Sequence, residues 1–320
     1  MSQERFPFPI PNGWFAVAWS NDLAPGELRA QRCFGRDWVL FRGESGETGM
    51  LDAFCPHLGA HLGHGGEVVG EGVKCPFHGW EWGREGGCLA IPYATRIPPA
   101  LEIGRLPTCE RNGAIFAWYH AQRAEPDWEV PELEEFADEA WTEPEHLEME
   151  IATCCQELGE NAHDPAHFVA VHGVPNPPAS EVEFRGRQKI SINRGEFETP
   201  RGPVETVIRG ESLGLGLGIT RVSGIADMCF LAMNTPVDRE SLHLRWSFTV
   251  PRTGESKRAE GVGRAFMNEF MRQLEQDKPI WENKRYEARP RLCDGDGPIA
   301  DYRRWAAQFY SDGTAAGVAD

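Results

Sequence analysis

Cys55-Pro-His-Leu-Gly-Ala-His-Leu-Gly-His-Gly-Gly66 and Cys75-Pro-Phe-His-Gly-Trp80 are the two stretches on which the reading of this chain turns. Each supplies one thiolate and one imidazole, Cys55 with His57 and Cys75 with His78, and seventeen residues separate the two arms. Two thiolates and two imidazoles can close a tetrahedral zinc site. The same four can hold a two-iron cluster, with both cysteines on one iron and both histidines on the other. One Cys and one His per arm, Pro after each Cys and Gly soon after each His favour the cluster. Tight, backbone-rich loops aim N–H groups at bridging sulfides. Zinc ribbons more often use a Cys-x-x-Cys knuckle on both arms. His61 and His64, between the arms, read as loop histidines.

Around these arms the chain reads as short strands. Residues 14–19, 38–41 and 114–118 are aromatic and β-branched runs of strand length, separated by turn signals at Pro11-Asn-Gly13, Gly43-Glu-Ser-Gly46 and Asn112-Gly113. This predicts a small antiparallel β domain over 12–122. An acidic, Pro-containing stretch follows, so 123–150 is expected to be a linker and the start of a second domain filling 151–320. There a helix-like segment spans 156–172, and 205–208 and 242–250 alternate as half-buried strands do. Leu213-Gly-Leu-Gly-Leu-Gly-Ile219 lacks the Lys-Ser/Thr of a phosphate loop and the G-x-G-x-x-G spacing. It is expected to be a strand with one face stripped of side chains. Together with Met228, Phe230, Leu231 and Met233 it either lines a wide apolar cavity or forms core. A long helical pattern runs over 261–286. The fold class is α+β.

A second cluster of ligands lies in Glu160-Asn-Ala-His-Asp-Pro-Ala-His-Phe-Val-Ala-Val-His-Gly173, which holds three of the ten histidines. A mononuclear oxygenase iron takes two imidazoles and one carboxylate and leaves sites open. Asp164 and His167 are spaced to share a helical face. His167 and His172 would lie about 140° apart on an ideal helix, so meeting one metal requires a break near Gly173. On the long helix Phe266, Phe270, Leu274 and Asp277 share a face. A carboxylate on an apolar stripe needs a partner, which a metal would supply. Asp277 is therefore preferred over Glu269, Glu275 and Asp294 as a third ligand; capping near Lys278 and Pro279 is the alternative.

Composition sets outer limits. The 320 residues carry a net charge of −17 with 41% apolar residues, eleven Trp and seventeen Phe. That balance supports a large core and argues against nucleic acid or an anionic membrane as partner. No run approaches the roughly 20 apolar residues of a membrane span. The N-terminal residues lack a signal-peptide pattern, which gives a cytoplasmic expectation. Nine cysteines, an odd number, do not suggest a disulfide framework. The seven outside the arms (Cys33, Cys88, Cys109, Cys154, Cys155, Cys229, Cys293) are expected to be small buried hydrophobes.

The two Cys/His arms resemble those of the Rieske family residue for residue. The order Asn161-x-x-Asp164-x-x-His167-x-x-x-x-His172 is similar to the mononuclear iron signature of Rieske non-haem iron oxygenases, and residues 276–284 resemble that family's third-ligand segment. Asn12-Gly-Trp14, Ile91-Pro-Tyr-Ala94, Trp128-Glu-Val-Pro-Glu132, Asp294-Gly-Asp-Gly-Pro298, Arg303-Arg-Trp305 and Phe309-Tyr310 look most like the steroid and sterol enzymes of the 3-ketosteroid 9α-hydroxylase and cholesterol 7-desaturase type. The resemblance implies an N-terminal antiparallel β Rieske domain and a C-terminal helix-grip domain, a curved sheet around a long helix. It implies a 2Fe–2S cluster on Cys55, His57, Cys75 and His78, and Fe(II) on His167, His172 and Asp277. Asp164 would be the carboxylate bridging an iron-ligating His to a cluster His of a neighbouring subunit; His163 would be a surface residue. A head-to-tail homotrimer, an external reductase or ferredoxin, O2 as co-substrate and a small apolar, steroid-like substrate to be hydroxylated or desaturated complete the expectation. Demethylation and ring hydroxylation stay open within the family. A non-catalytic electron carrier is the reading from another class.

Overall fold

The computed structural model describes residues 4–173, 180–199, 202–224, 227–252 and 256–311. It divides into two compact units, Trp14–Glu132 and, together, Met1–Gly13 with Leu133–Asp320.

The first unit is built from short antiparallel strands. One sheet orders Gly13–Trp19, Ala114–Tyr119 and Thr108–Arg111; a second orders Leu28–Cys33, Arg36–Arg42, Thr48–Asp52 and Arg105–Leu106. The third, Glu67–Val69, Gly72–Lys74, Glu81–Gly83 and Cys88–Ala90, carries the second Cys/His arm in the turn between its middle strands. Strand Gly13–Trp19 is buried along its whole length, which its unbroken apolar run Trp14-Phe-Ala-Val-Ala-Trp19 requires. A core of Val39, Phe41, Leu51, Leu62, Val73, Trp82 and Ile103 also contains Cys55 and Cys75. The two thiols are thus fixed by packing from below.

The second unit is a seven-stranded antiparallel sheet. Its order is Glu145–Ile151, Leu242–Thr249, Met228–Pro236, Leu217–Ser223, Gly202–Leu213, Gln188–Thr199 and Ser180–Arg185. The helix Ser256–Asn283 lies on one face: Phe270 meets Phe230 at 4.9 Å and Trp246 at 5.7 Å between ring centroids. Met267, Leu274, Asp277 and Trp281 are buried along it at helical spacing. Its C-terminal end is held by Arg5, which donates to the carbonyls of Trp281 and Glu282, two groups with no partner inside the helix. Opposite residues of paired strands point to one face, so the register assigns every side chain to the helix side or to the other side.

Several expectations change. The segment 213–219 is not one strand. Leu213 ends a strand, Gly214 to Gly216 form a turn, and the next strand begins at Leu217; Gly214 takes φ +61°, which glycine adopts without strain. The helical pattern of 156–172 is two short helices, Cys155–Asn161 and Pro165–Ala170, because Pro165 cannot continue the first. The acidic stretch before 151 contributes the edge strand Glu145–Ile151. Leu217, Ile219, Met228, Phe230, Leu231 and Met233 are buried core. Of the seven other cysteines, four are buried, Cys88 and Cys109 are half-buried, and Cys293 is exposed because it sits in a polar loop. The side chain of Phe266 lies outside what the structure describes.

Candidate metal centres

The two Cys/His arms fold as near copies. In each, the amide of Gly59 or Gly79 donates to the carbonyl of Cys55 or Cys75, at 2.9 and 3.0 Å. The Cys55 and Cys75 amides in turn donate to Ala60 and Trp80 carbonyls, at 2.9 and 2.8 Å. Gly59 and Gly79 sit at φ +76° and +72°, so the Cys-x-x-x-Gly spacing of both arms is set by a backbone that favours glycine at its fifth position. The imidazoles of His57 and His78 meet edge to face with ring centroids 4.7 Å apart. Trp80 stacks on His57 at 4.3 Å and donates its indole N–H to Tyr93 Oη at 2.8 Å, which holds the stack in place. Burial pushes the Cys55 thiol above its ordinary value, and the nearby Cys75 adds to this.

The donor set can be tested against the group it should hold. His78 Nδ1 is buried without a hydrogen-bond partner among the described residues, a cost that a metal bond would remove. A single tetrahedral ion would draw all four ligand atoms close together. Among the described residues, the group gathered within 4.8 Å of one another is a different one: His167, His172 and Asp277. Paired thiols in the core and paired imidazoles at the rim fit a two-iron cluster.

The second centre is assembled from three pieces. Helix Pro165–Ala170 carries His167 and stops within a turn of it; the Val171 amide closes onto the His167 carbonyl. The chain then turns through His172 to Gly173 at φ +71°. This break removes the angular mismatch of the five-residue gap: the two imidazole centroids are 5.1 Å apart. The long helix brings in Asp277, whose Oδ2 lies 3.4 Å from His172 Nε2. All three side chains are shielded, 9% exposed for His167, 1% for His172 and 7% for Asp277. Burial holds the Asp277 carboxyl above its usual range, against the pull of both imidazoles and of Asn161. Two imidazoles and a buried carboxylate fit a divalent iron with open positions.

Neighbouring groups fix which ring nitrogen is free. His172 Nδ1 donates to Gln276 Oε1 at 3.0 Å, and His167 Nδ1 donates to the Asp164 carbonyl. Both Nε2 atoms are left as metal donors. Asn161 Nδ2 donates to Asp277 Oδ2 at 3.1 Å and lies 3.2 Å from His167 Nε2. Spacing gave no hint of Gln276, which adjoins Asp277 in sequence yet accepts from His172 Nδ1, the ring nitrogen that does not meet Asp277. Asp164 is the N-cap of the His167 helix: its Oδ1 accepts from the Ala166 and His167 amides, and its side chain remains 33% exposed.

His163 is not a surface residue. It is 3% exposed, stacks on Tyr302 at 4.5 Å and donates from Nδ1 to the Gly159 carbonyl. Its position follows from packing: Gly159 passes so close to the Tyr302 hydroxyl that no Cβ fits, and the Arg303 guanidinium grips Glu160 through two bonds of 2.8 and 2.9 Å. These contacts clamp helix Ile299–Ala306 onto the helix that leads into the iron motif, and they draw His163 inward.

Comparison with known proteins places this geometry in a family. Residues 13–107 match the Rieske [2Fe-2S] domain, and residues 117–310 match the 3-Ketosteroid 9alpha-hydroxylase C-terminal domain. The chain is 32% identical to cholesterol 7-desaturase nvd 1 of Ciona intestinalis, over 97% of this chain and 70% of that one. It is 31% identical to a probable 3-ketosteroid-9-alpha-monooxygenase oxygenase component of Rhodococcus rhodochrous, over 94% of this chain and 80% of that one. In fold it matches dicamba monooxygenase bound to dicamba, with TM-score 0.74, 18% identity and coverage of 93% and 97%. A Pseudomonas putida CBB5 NdmA mutant solved with caffeine matches with TM-score 0.74, 20% identity and coverage of 97% and 95%. The chain therefore belongs to the Rieske non-haem iron oxygenases, oxidoreductases that pair a 2Fe–2S domain with an iron-dependent catalytic domain.

Proposed function

We propose that this enzyme hydroxylates or desaturates a steroid-like substrate with electrons from a separate reductase or ferredoxin. The observation that carries an oxidative role is the buried His167, His172 and Asp277 trio on the same chain as the paired Cys/His loops. The steroid class rests on the relatives, whose names are those of sterol and ketosteroid enzymes. When bound, the cluster supplies single electrons and the iron activates dioxygen. The protein's part is to hold, orient and shield. Cys55, Cys75, His57 and His78 hold the cluster. His167 and His172 present Nε2 and Asp277 its carboxylate to the iron, with Gln276 and Asn161 fixing their orientation. Burial of the trio keeps water from the reacting face.

Asp164 is assigned as the bridge for electron delivery. Capping occupies Oδ1; Oδ2, 3.9 Å from His167 Nδ1 on a side chain that is 33% exposed, is the atom offered to a histidine of another subunit. A head-to-tail homotrimer fits the surface around the cluster histidines. Leu58 is 65% exposed, Phe77 60% and Tyr93 61%, an apolar rim of the kind a subunit interface covers. All nine cysteines are unpaired, in keeping with a cytoplasmic location where thiols stay reduced. No helix among the described residues is long and apolar enough to cross a membrane.

The test is oxygen consumption by the holoenzyme with a surrogate reductase. Steroids should stimulate uptake and yield a hydroxylated or desaturated product in matching amount. Stimulation by small aromatic acids or methyl ethers, with none by steroids, would replace this reading by ring hydroxylation or demethylation.

A further inference from the structure

Lys189 is a buried cation that the centres described above do not use. It is 8% exposed, and its ammonium meets no acceptor or carboxylate among the described residues. Burial pushes its pKa down to about 8, and its charge is felt at His163. A cation without a counter-charge on a largely buried side chain is costly, and a ligand oxygen would offset that cost.

Its position suggests the use. Lys189 stands directly opposite Ser212, Ser212 opposite Gly218, Gly218 opposite Ala232, and Ala232 opposite Trp246. Trp246 meets Phe270 of the long helix, so the whole row faces the helix that carries Asp277. Between the lysine and the tryptophan the row is stripped of bulk. Among the described residues a Cβ added at Gly218 would meet only Ala232, at ordinary contact distances of 3.6 and 3.9 Å, so a side chain would fit there without a clash. Gly218 and Ala232 remain partly accessible, although they lie in the middle of the sheet. A long cationic side chain beside a trough of small residues, closed by an aromatic ring at the other end, has the form of a site for a flat apolar body with an oxygen at one end.

We infer that Lys189 anchors the substrate by donating to a carbonyl or carboxylate oxygen, while the Ser212–Gly218–Ala232 trough takes the apolar body. The inference rests on the steroid reading for the size of that body. Lys189 is a positioning residue: its bond fixes which carbon is offered to the iron and takes no part in the oxidation.

The experiment compares holoenzyme binding of molecules that differ by one acceptor group. Androstanone is set against androstane, and anisate against anisole, in wild type, Lys189→Met and Lys189→Gln. Lys189→Met should weaken androstanone binding by about ten- to a hundredfold and leave androstane within about twofold. Lys189→Gln, which keeps a neutral donor, should restore part of the preference. Lys189→Met should also raise the melting temperature, because it removes an uncompensated charge; a lysine kept for structure would give a fall. Equal loss for androstanone and androstane, or no wild-type preference between them, overturns the anchor and leaves the steroid reading intact. Wild-type binding of anisate alone, with the Lys189→Met loss confined to it, overturns the steroid reading and leaves the anchor.

Discussion

In the first unit, four candidate ligands come from two five-residue turns that repeat the same hydrogen bonds and the same left-handed glycine. In the second unit, three come from a helix end, the turn after it, and a helix so distant in sequence that Gln276 lies 104 positions beyond its partner His172. The cluster loops are local devices seated on an apolar core. The proposed iron site is tertiary: it exists only when the sheet, the two short helices and the long helix have packed. The first should tolerate damage elsewhere. The second gathers a buried carboxylate and two imidazoles that Asn161 and Gln276 orient and a cation would hold together.

The largest effect that would test this contrast is loss of the cluster alone. Cys75→Ser should abolish the visible absorption of the cluster and reduce turnover at least about a hundredfold, with the iron site still able to bind Fe(II). Loss of both metals together would break the contrast, because it would tie the second site to the first. Asp164→Asn comes next. Asparagine caps a helix as well as aspartate, so both metals and the melting temperature should be kept. Electron transfer to the iron, followed by stopped-flow absorbance of the cluster, should slow about a hundredfold; an unchanged rate removes the bridging role.

Gln276→Leu sharpens the comparison on the tertiary side. It leaves His172 Nδ1 without its acceptor, and iron retention against a chelator should weaken by about ten- to a hundredfold with cluster absorption unchanged. Equal retention in variant and wild type would mean that packing alone orients the ring. The smallest effect is absent at neutral pH. Burial pushes the His163 pKa from 6.5 down to about 3. As pH falls below 6.5 the unfolded chain takes up a proton that the folded one refuses. Stability is then lost at about 1.4 kcal/mol per pH unit until pH approaches the folded value of about 3. Denaturant unfolding of wild type and His163→Phe, compared at neutral and mildly acidic pH, should show a smaller acid loss in the variant. Parallel losses would place the charge-refusing site elsewhere.

The same contrast explains what the sequence revealed. Each cluster arm could be read from consecutive residues, because Cys-Pro-x-His-Gly and Cys-Pro-His-Leu-Gly state their own turn chemistry. Strands 13–19 and 114–119 were equally legible from unbroken apolar runs. The Leu213 to Ile219 alternation misled because Leu/Gly repeats suit a strand and a tight turn alike; the pairing of Leu213 with Leu217 decides between them. His163 was misread because its burial depends on Tyr302 and Gly159, a contact that no local pattern encodes. The five-residue gap from His167 to His172 became intelligible only with the helix stopping at Ala170. Gln276 and Lys189 needed strand register and helix packing before either could be placed.

Metal and sulfide content tests the central claim most directly. Wild type should carry about three irons and about two acid-labile sulfides per chain, and Asp277→Ala about two of each with the cluster absorption intact. Zinc without sulfide in wild type, or an iron count that Asp277→Ala leaves unchanged, would contradict the two-centre account.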